Sequence, residues 1–585
     1  MLVGAMPLLV TTICQNTRAD NWLNTAGGSW TNGANWSTGA PPADGANSVY
    51  DYANFSLGST TGYTVSNVSN VAGIQVQGDQ PTLSFTGALN TVSGGIAIIN
   101  VTSVADQTSS LTMLNADFSI HFSDAVSVGG TGGTSNLTME GCTINGSEGG
   151  SYIGGGAGSV VNYNQVGGTL SSYDETGIYF GSGAGTVNAI INGGIVSGEY
   201  DGVTIGSAGH VNMNVTSGGA VVSQSNFVSI GTGSGTANVT VNHASINGDY
   251  NFIGATQAGL PNLLPVPATG GGTGVVSLNN AASLDGYSII IGASQGNGTL
   301  TVSQSTCSAN LVAIGDKGTG VATFSNGSAL NLSTGICYVG GSGGTGTLSL
   351  SGTGTTCNLG FLDVGTDGTA NGTGVVELDH SAVLAAPDFT DGGQLYHGTI
   401  DVSATGTLKV FSGAVAAAGI LTEVPGSTLE IGLDGASDSA NGQIDVTSTA
   451  TFAGTLDVVF ENDFQPAVGE QFQLFSLVNE TGHFSTLNLP AGYTYDLSQL
   501  YTNGLITVTS VPEPVNAAAV VVMIAALGRR NQRTCERSSP GRLRIDNGPY
   551  LEPVRSAAKA AGPHLHGGSP GSSSATGSAG GGLRS

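Results

Sequence analysis

The sequence predicts an all-β chain, a parallel β-solenoid (β-helix) of ~25-residue coils with β-rich terminal caps and a short C-terminal hydrophobic helix. Three observations predict it. A bulky apolar residue followed by glycine recurs at near-constant spacing through the middle of the chain. Between these glycines, apolar residues alternate with small polar ones, the period of a strand with one buried face. Only 9% of the 585 residues are charged, yet 39% are hydrophobic and 96 are glycine; a disordered chain combines low hydrophobicity with high charge, and this one does not.

The recurring glycines are Gly129, Gly154, Gly181, Gly206, Gly231, Gly254, Gly292, Gly315, Gly340 and Gly365, at spacings of 25, 27, 25, 25, 23, 38, 23, 25 and 25. The one long interval holds an insert around Pro261–Pro267 that leaves the flanking period intact, as a surface loop on one coil would. Within a unit, one strand signal is GTLTVS (Gly298–Ser303), GTLSLS (Gly346–Ser351) or GTANVTV (Gly235–Val241). The other ends at the recurring glycine, as in Val203/Ile205, Val312/Ile314 and Leu362/Val364. Such a unit, with two or three short strands, cannot bury its own apolar face and must stack on its neighbours. The glycine is expected at a corner where a side chain would collide. Tandem sandwiches need roughly 100 residues per domain and propellers about 40–50 per blade, so this period suits neither.

The flanks extend this organisation. In residues 1–19 an apolar run from Met1 to Ile13 is followed by the small-x-small pattern Thr17-Arg18-Ala19, and the segment reads as an export signal, with a buried first strand as the alternative. Residues 20–100 are expected to form an N-terminal β cap, 101–387 the solenoid, and 388–510 a C-terminal β-rich cap with bulkier residues such as Phe460, Phe472 and Phe475. All three tryptophans, Trp22, Trp30 and Trp36, fall near the start. A hydrophobic plug closing the first coil is the expected role, and a sugar-stacking platform is the alternative. Residues 511–534 are a separate signal, and 535–585, rich in Arg, Pro, Ser and Gly, read as a disordered tail.

Charge is divided sharply. Residues 1–528 hold three basic residues, Arg18, Lys317 and Lys409, against 35 acidic ones, a net of −32; residues 529–585 hold nine against three, a net of +6. A body almost free of cations is not expected to bind nucleic acid, because phosphate contacts need clustered Lys and Arg. The Gly-rich stretches lack the lysine of a phosphate-binding loop.

Candidate chemistry is sparse. Glu377 and Asp379 would share one face of a strand, about 6.5–7 Å apart at two residues' rise, within the range of a glycosidase carboxylate pair. Glu199 and Asp201 repeat that spacing, whereas Asp174 and Glu175 are adjacent and would face opposite ways. A solvated outer face is the favoured reading for each. The six cysteines form no CxxC pair, and the four in the repeat region read as small buried hydrophobes. His564-x-His566 has no further ligands nearby, and no calcium-binding nonapeptide occurs. No cofactor, metal or catalytic site is expected.

The end of the body carries the most specific motif. Val511-Pro512-Glu513-Pro514 precedes an apolar stretch from Ala517 to Leu527, followed by Gly528-Arg529-Arg530 and Arg533. The prolines favour an extended, accessible segment, and arginines after an apolar run stay on the cytoplasmic side of a membrane. This segment resembles the PEP-CTERM sorting signal of bacterial exported proteins. The resemblance implies a transient inner-membrane anchor, cleavage by an exosortase-type processing enzyme, and delivery to the cell surface or extracellular matrix. The Trp-x5-Trp-Ser opening with its Pro-Pro turn and alternating strands also resembles passenger-type proteins with autotransporter-associated β-strand repeats. Together these lead us to expect an exported structural or adhesive protein, not an enzyme, with extracellular polysaccharide as a partner. The alternative is a carbohydrate-binding or carbohydrate-active β-helix of the polysaccharide lyase or glycosidase kind.

Overall fold

A computed structural model describes residues 18–42 and 51–511, apart from residues 70, 72, 87–88, 94–98, 122–124, 147–149, 174–176, 256–270, 369 and 392–393. The sorting segment from Pro512, the expected hydrophobic helix, the tail and the Pro261–Pro267 insert therefore lie outside the described residues.

Each coil is three strands joined by turns. Thr134–Glu140 is followed by Thr143–Gly146 and Ser151–Ile153, and the next coil begins at Val160–Val166. Thr345–Ser351, Thr356–Asn358 and Phe361–Val364 repeat the plan further along. Corresponding strands of successive coils pair in parallel, so the body is a three-sided parallel β-solenoid. The first, long-strand side is an open ladder of eighteen described strands from Gly28–Ser29 to Thr486–Asn488. At about 4.8 Å per rung this ladder is about 80 Å long.

The alternating pattern places one row of side chains inside and the next outside. In the long-strand ladder Leu300, Ala322, Leu348 and Val376 form one inward column, and Val302, Phe324, Leu350 and Leu378 form its neighbour. Volume is compensated within a rung: Ala322 sits beside Phe324 where the next coil has Leu348 beside Leu350. That trade keeps the interior close-packed without moving the backbone. Each fully buried Leu or Phe contributes roughly 1.5–3 kcal/mol, so coils are held mainly by the columns they share. The four described cysteines are buried free thiols: Cys307 and Cys357 point inward from the second side, Cys337 from the third, and Cys142 lies in the turn before Thr143–Gly146.

The recurring glycines turn the corners, as their spacing predicts. Gly340 has φ +77°, and a side chain there would run into the carbonyl oxygen of Thr373 in the next coil. The 38-residue interval leaves the ladder undisturbed: Thr236–Asn242 pairs with Thr273–Asn279 residue for residue.

The parallel ladders do not stop at residues 101 and 387. Tyr63–Val68 and Pro81–Phe85 already stack below Thr108–Leu114, and Gly406–Val410, Thr428–Leu433 and Thr455–Phe460 continue above. The period fades after residue 388 because an antiparallel hairpin, Phe389–Asp391 with Gln394–Tyr396, is inserted and a register shift falls between Ala418 and Ile420. At the N-terminal end Trp22, Trp30 and Trp36 are only 1–2% exposed and pack edge to face, with centroids 5.0 Å apart for Trp22–Trp36 and 4.7 Å for Trp30–Trp36. They form the plug and not a sugar platform. The first described strand, Arg18–Asn21, crosses the junction at Ala19 and pairs with Asp51–Phe55. At the C-terminal end Gln471–Gln473, Leu505–Ser510 and Thr494–Asp496 pair antiparallel, and Phe452, Phe475 and Phe484 form an aromatic cluster.

Candidate functional site

Of the sorting-signal residues only Val511 is described, exposed directly after the strand Leu505–Ser510; Pro512, Glu513, Pro514, Arg529, Arg530 and Arg533 lie outside the described residues.

The acidic pairs divide in the structure. Glu377 and Asp379 do share one side of Thr373–Asp379, as the spacing predicts. That side is the outer surface of the long-strand ladder, where Glu377 lies in register with Lys409. Lys409 in turn pairs with Glu430 at 3.0 Å, and Asp379 is held by His380. The strip is thus a row of alternating charge, Glu377, Lys409 and Glu430, in which the Lys409–Glu430 ion pair joins two neighbouring coils. Glu199 and Asp201 are not on a strand: they lie in the bend between Ile195–Gly198 and Val203–Ile205. Their two-residue spacing therefore does not set them on one sheet face. Asp174 and Glu175 lie outside the described residues. Among the described residues no group of three or more His, Cys, Asp and Glu could hold a metal ion.

Two polar features escape a motif search. On the third side of the solenoid, Tyr338, Asp363 and Asp401 stack in one outward column. Burial, then the neighbouring Asp401 and Asp367, push the Asp363 carboxyl up to about 6. In the core, Tyr163 donates its hydroxyl to Gln165 Oε1 at 2.8 Å, and Gln165 Nε2 donates to the carbonyls of Gly168 and Ile195 at 3.2 and 3.1 Å. This buried amide is fully engaged, which is what makes it tolerable in an apolar column. Period-2 alternation marks both as ordinary strand positions, so neither was singled out by the sequence.

The most extended surface feature is the outer side of the long-strand ladder from Thr134–Glu140 to Thr345–Ser351. Nine seven-residue strands pair there without a register shift. Of their 36 outward positions, 29 are Ser, Thr or Asn. Part of the array is self-ordered: Asn162, Asn188, Asn212 and Asn238 each donate Nδ2–H to the Oδ1 of the asparagine one coil before, at 2.7, 3.0, 3.2 and 3.3 Å, starting at Asn136. Among the described residues no helix is long and apolar enough to cross a membrane.

No protein-family model matches the chain, and no curated protein matches it.

Proposed function

We propose that this chain is an exported structural or adhesive protein of the cell surface or extracellular matrix, sorted through the segment that begins at Val511. The observation that carries this reading is the construction of the body: parallel ladders run from one aromatic-capped end to the other, giving long flat faces without a cluster of metal-ligating groups among the described residues. A surface that long suits contact with extended partners. The charge division supports the sorting step. Val511-Pro512-Glu513-Pro514, the apolar run and Arg529, Arg530 and Arg533 stand where the acidic body gives way to a basic tail. The apolar run would rest briefly in the inner membrane, and an exosortase-type enzyme would cut beside the prolines.

The test is mass spectrometry of the protein recovered from the cell surface and from the membrane. A surface form that ends near Val511, together with a longer membrane form, is the expected result. A surface form that retains residues 512–585 overturns the sorting step, and a chain confined to the cytoplasm overturns the whole reading.

A further inference from the structure

From Thr134–Glu140 to Thr345–Ser351 the outer side of the long-strand ladder carries almost no charge. Nine carboxylates lie between residues 134 and 351, and one of them, Glu140, stands among the 36 outward positions of this side; Lys317, the single cation in that span, stands elsewhere. Of the other described carboxylates, Glu199, Asp201 and Asp316 lie in bends, and Asp249 and Asp285 lie on strands of other sides. What remains is a sheet of hydroxyls and amides repeating about every 4.8 Å along the solenoid and every 6.8 Å across it, roughly 40 Å by 20 Å in extent.

This array is also stiff. Thr236, Thr240, Thr299, Thr301, Thr323 and Thr347 are β-branched and restricted at χ1 by their backbone. The asparagine column is locked by its own amide-to-amide bonds, each amide keeping one further N–H free to donate. Groups already ordered lose little conformational entropy when they bind. The partner that fits is therefore uncharged, since nothing on the array would offset the desolvation of an ion. It carries many donors and acceptors along its length, since the face is flat and offers repetition in place of a pocket. It also presents C–H surface to the threonine methyls.

We propose that this face binds a neutral polysaccharide laid along the solenoid. The inference rests on the surface or matrix role proposed above and supplies its ligand class. Each sugar contact is weak, and affinity comes from many contacts made at once along one rigid support.

The experiment uses the purified full chain and its depletion from solution by microcrystalline cellulose, chitin and cross-linked dextran. Retention on at least one of them is expected, unchanged between 0.05 and 0.5 M NaCl as order-of-magnitude bounds of a screening test. The triple variant Asn238→Glu, Thr301→Glu, Ser349→Glu places three charges on the face and should weaken retention at least about tenfold, roughly 1.4 kcal/mol. A control triple on the second side, Thr143→Glu, Ser283→Glu, Thr356→Glu, adds the same charge and should bind as the parent does. Matched circular dichroism and thermal midpoints for both triples exclude misfolding. Retention on none of the three supports, binding that falls steeply with salt, or equal loss in both triples overturns the proposal. So does arrest of ice-crystal growth by a chain that binds no polysaccharide, because the array would then order water. Binding is measured in vitro, so a chain that binds polysaccharide but never reaches the surface would overturn the surface or matrix role and leave the binding standing.

Discussion

Glu423 pairs in register with Val402, so a carboxyl group takes the next place in an inward column of aliphatic side chains. Its side chain is 1% exposed and accepts a bond from the backbone N–H of Ala453. Burial dominates over these bonds and pushes its pKa from 4.5 up to about 7. A carboxyl whose folded pKa is raised gives stability that is complete below its unfolded value near 4.5 and is lost as pH climbs through 7. The full span is on the order of 3 kcal/mol. We expect the strands Val415–Glu423 and Gln443–Phe452 to be better protected from amide hydrogen exchange at pH 5 than at pH 8. Glu423→Gln should flatten most of that difference. Equal protection of the parent at both pH values would show that the charge is accommodated without cost.

Gly340 and Gly343 form a matched pair in one coil. Both have positive φ, +77° and +83°, but a side chain at Gly340 meets the backbone of the next coil whereas one at Gly343 meets nothing within 4 Å. Gly343→Ala should cost about 1 kcal/mol from backbone strain alone. Gly340→Ala should cost more than about 2 kcal/mol, because the coil interface must open as well. Thermal midpoints of the two variants test this, and equal shifts would mean that the corner is not a contact point.

Removing Trp36 should unseat the N-terminal plug. Its indole N–H donates to the carbonyl of Trp30 at 2.8 Å, and its ring touches both other tryptophans. Trp36→Ala is expected to cost about 3–5 kcal/mol. The loss should be local: faster exchange in Asp51–Phe55 and Tyr63–Val68, with Thr345–Ser351 unaffected, and a new tendency to associate through the uncovered first rung. Uniform loss along the chain would argue instead for a single cooperative unit.

The buried cysteines should be silent. Burial pushes the Cys357 thiol up to about 12 and raises Cys142 and Cys337 as well. Peptide mapping after alkylation of the native full chain should find Cys142, Cys307, Cys337 and Cys357 unmodified, and all four modified after denaturation. Labelling of any of them at native pH 8 would mean that its coil opens.

Much of this architecture was legible because a solenoid writes its geometry into a one-dimensional period. Gly315, Gly340 and Gly365 recur at a fixed spacing because each occupies the same corner, and Leu348/Leu350 alternate because they share one buried side. The second strand of each coil was less legible. Thr306–Ser308 and Thr356–Asn358 are three residues long with one inward side chain, Cys307 or Cys357, and three residues hold too little pattern. Glu423 and Gln165 broke the rule that inward positions are apolar, and only neighbouring coils reveal what accommodates them. The acidic pairs show the opposite limit. Spacing placed Glu377 and Asp379 on one face, but whether that face is a cleft or an open ladder depends on the coils beside it, where Lys409 and Glu430 stand. The asparagine column was invisible for the same reason, since its members are 24 to 26 residues apart in the chain.

The ladder bonds run along the solenoid axis while the strands run across it, and the chain passes from coil to coil at one corner, so a pull on the two ends would peel the bonds between two coils one after another from that corner. Extension would then be stepwise. One coil lets go at a time, and each released turn of some 25 residues pays out about 85 Å of chain in place of the 4.8 Å it spanned when wound. A single lost turn nearly doubles the reach of the whole body. If this chain links a cell to its surroundings, it would act as a spool under load, lengthening in counted increments and dissipating work at each one before the link is broken.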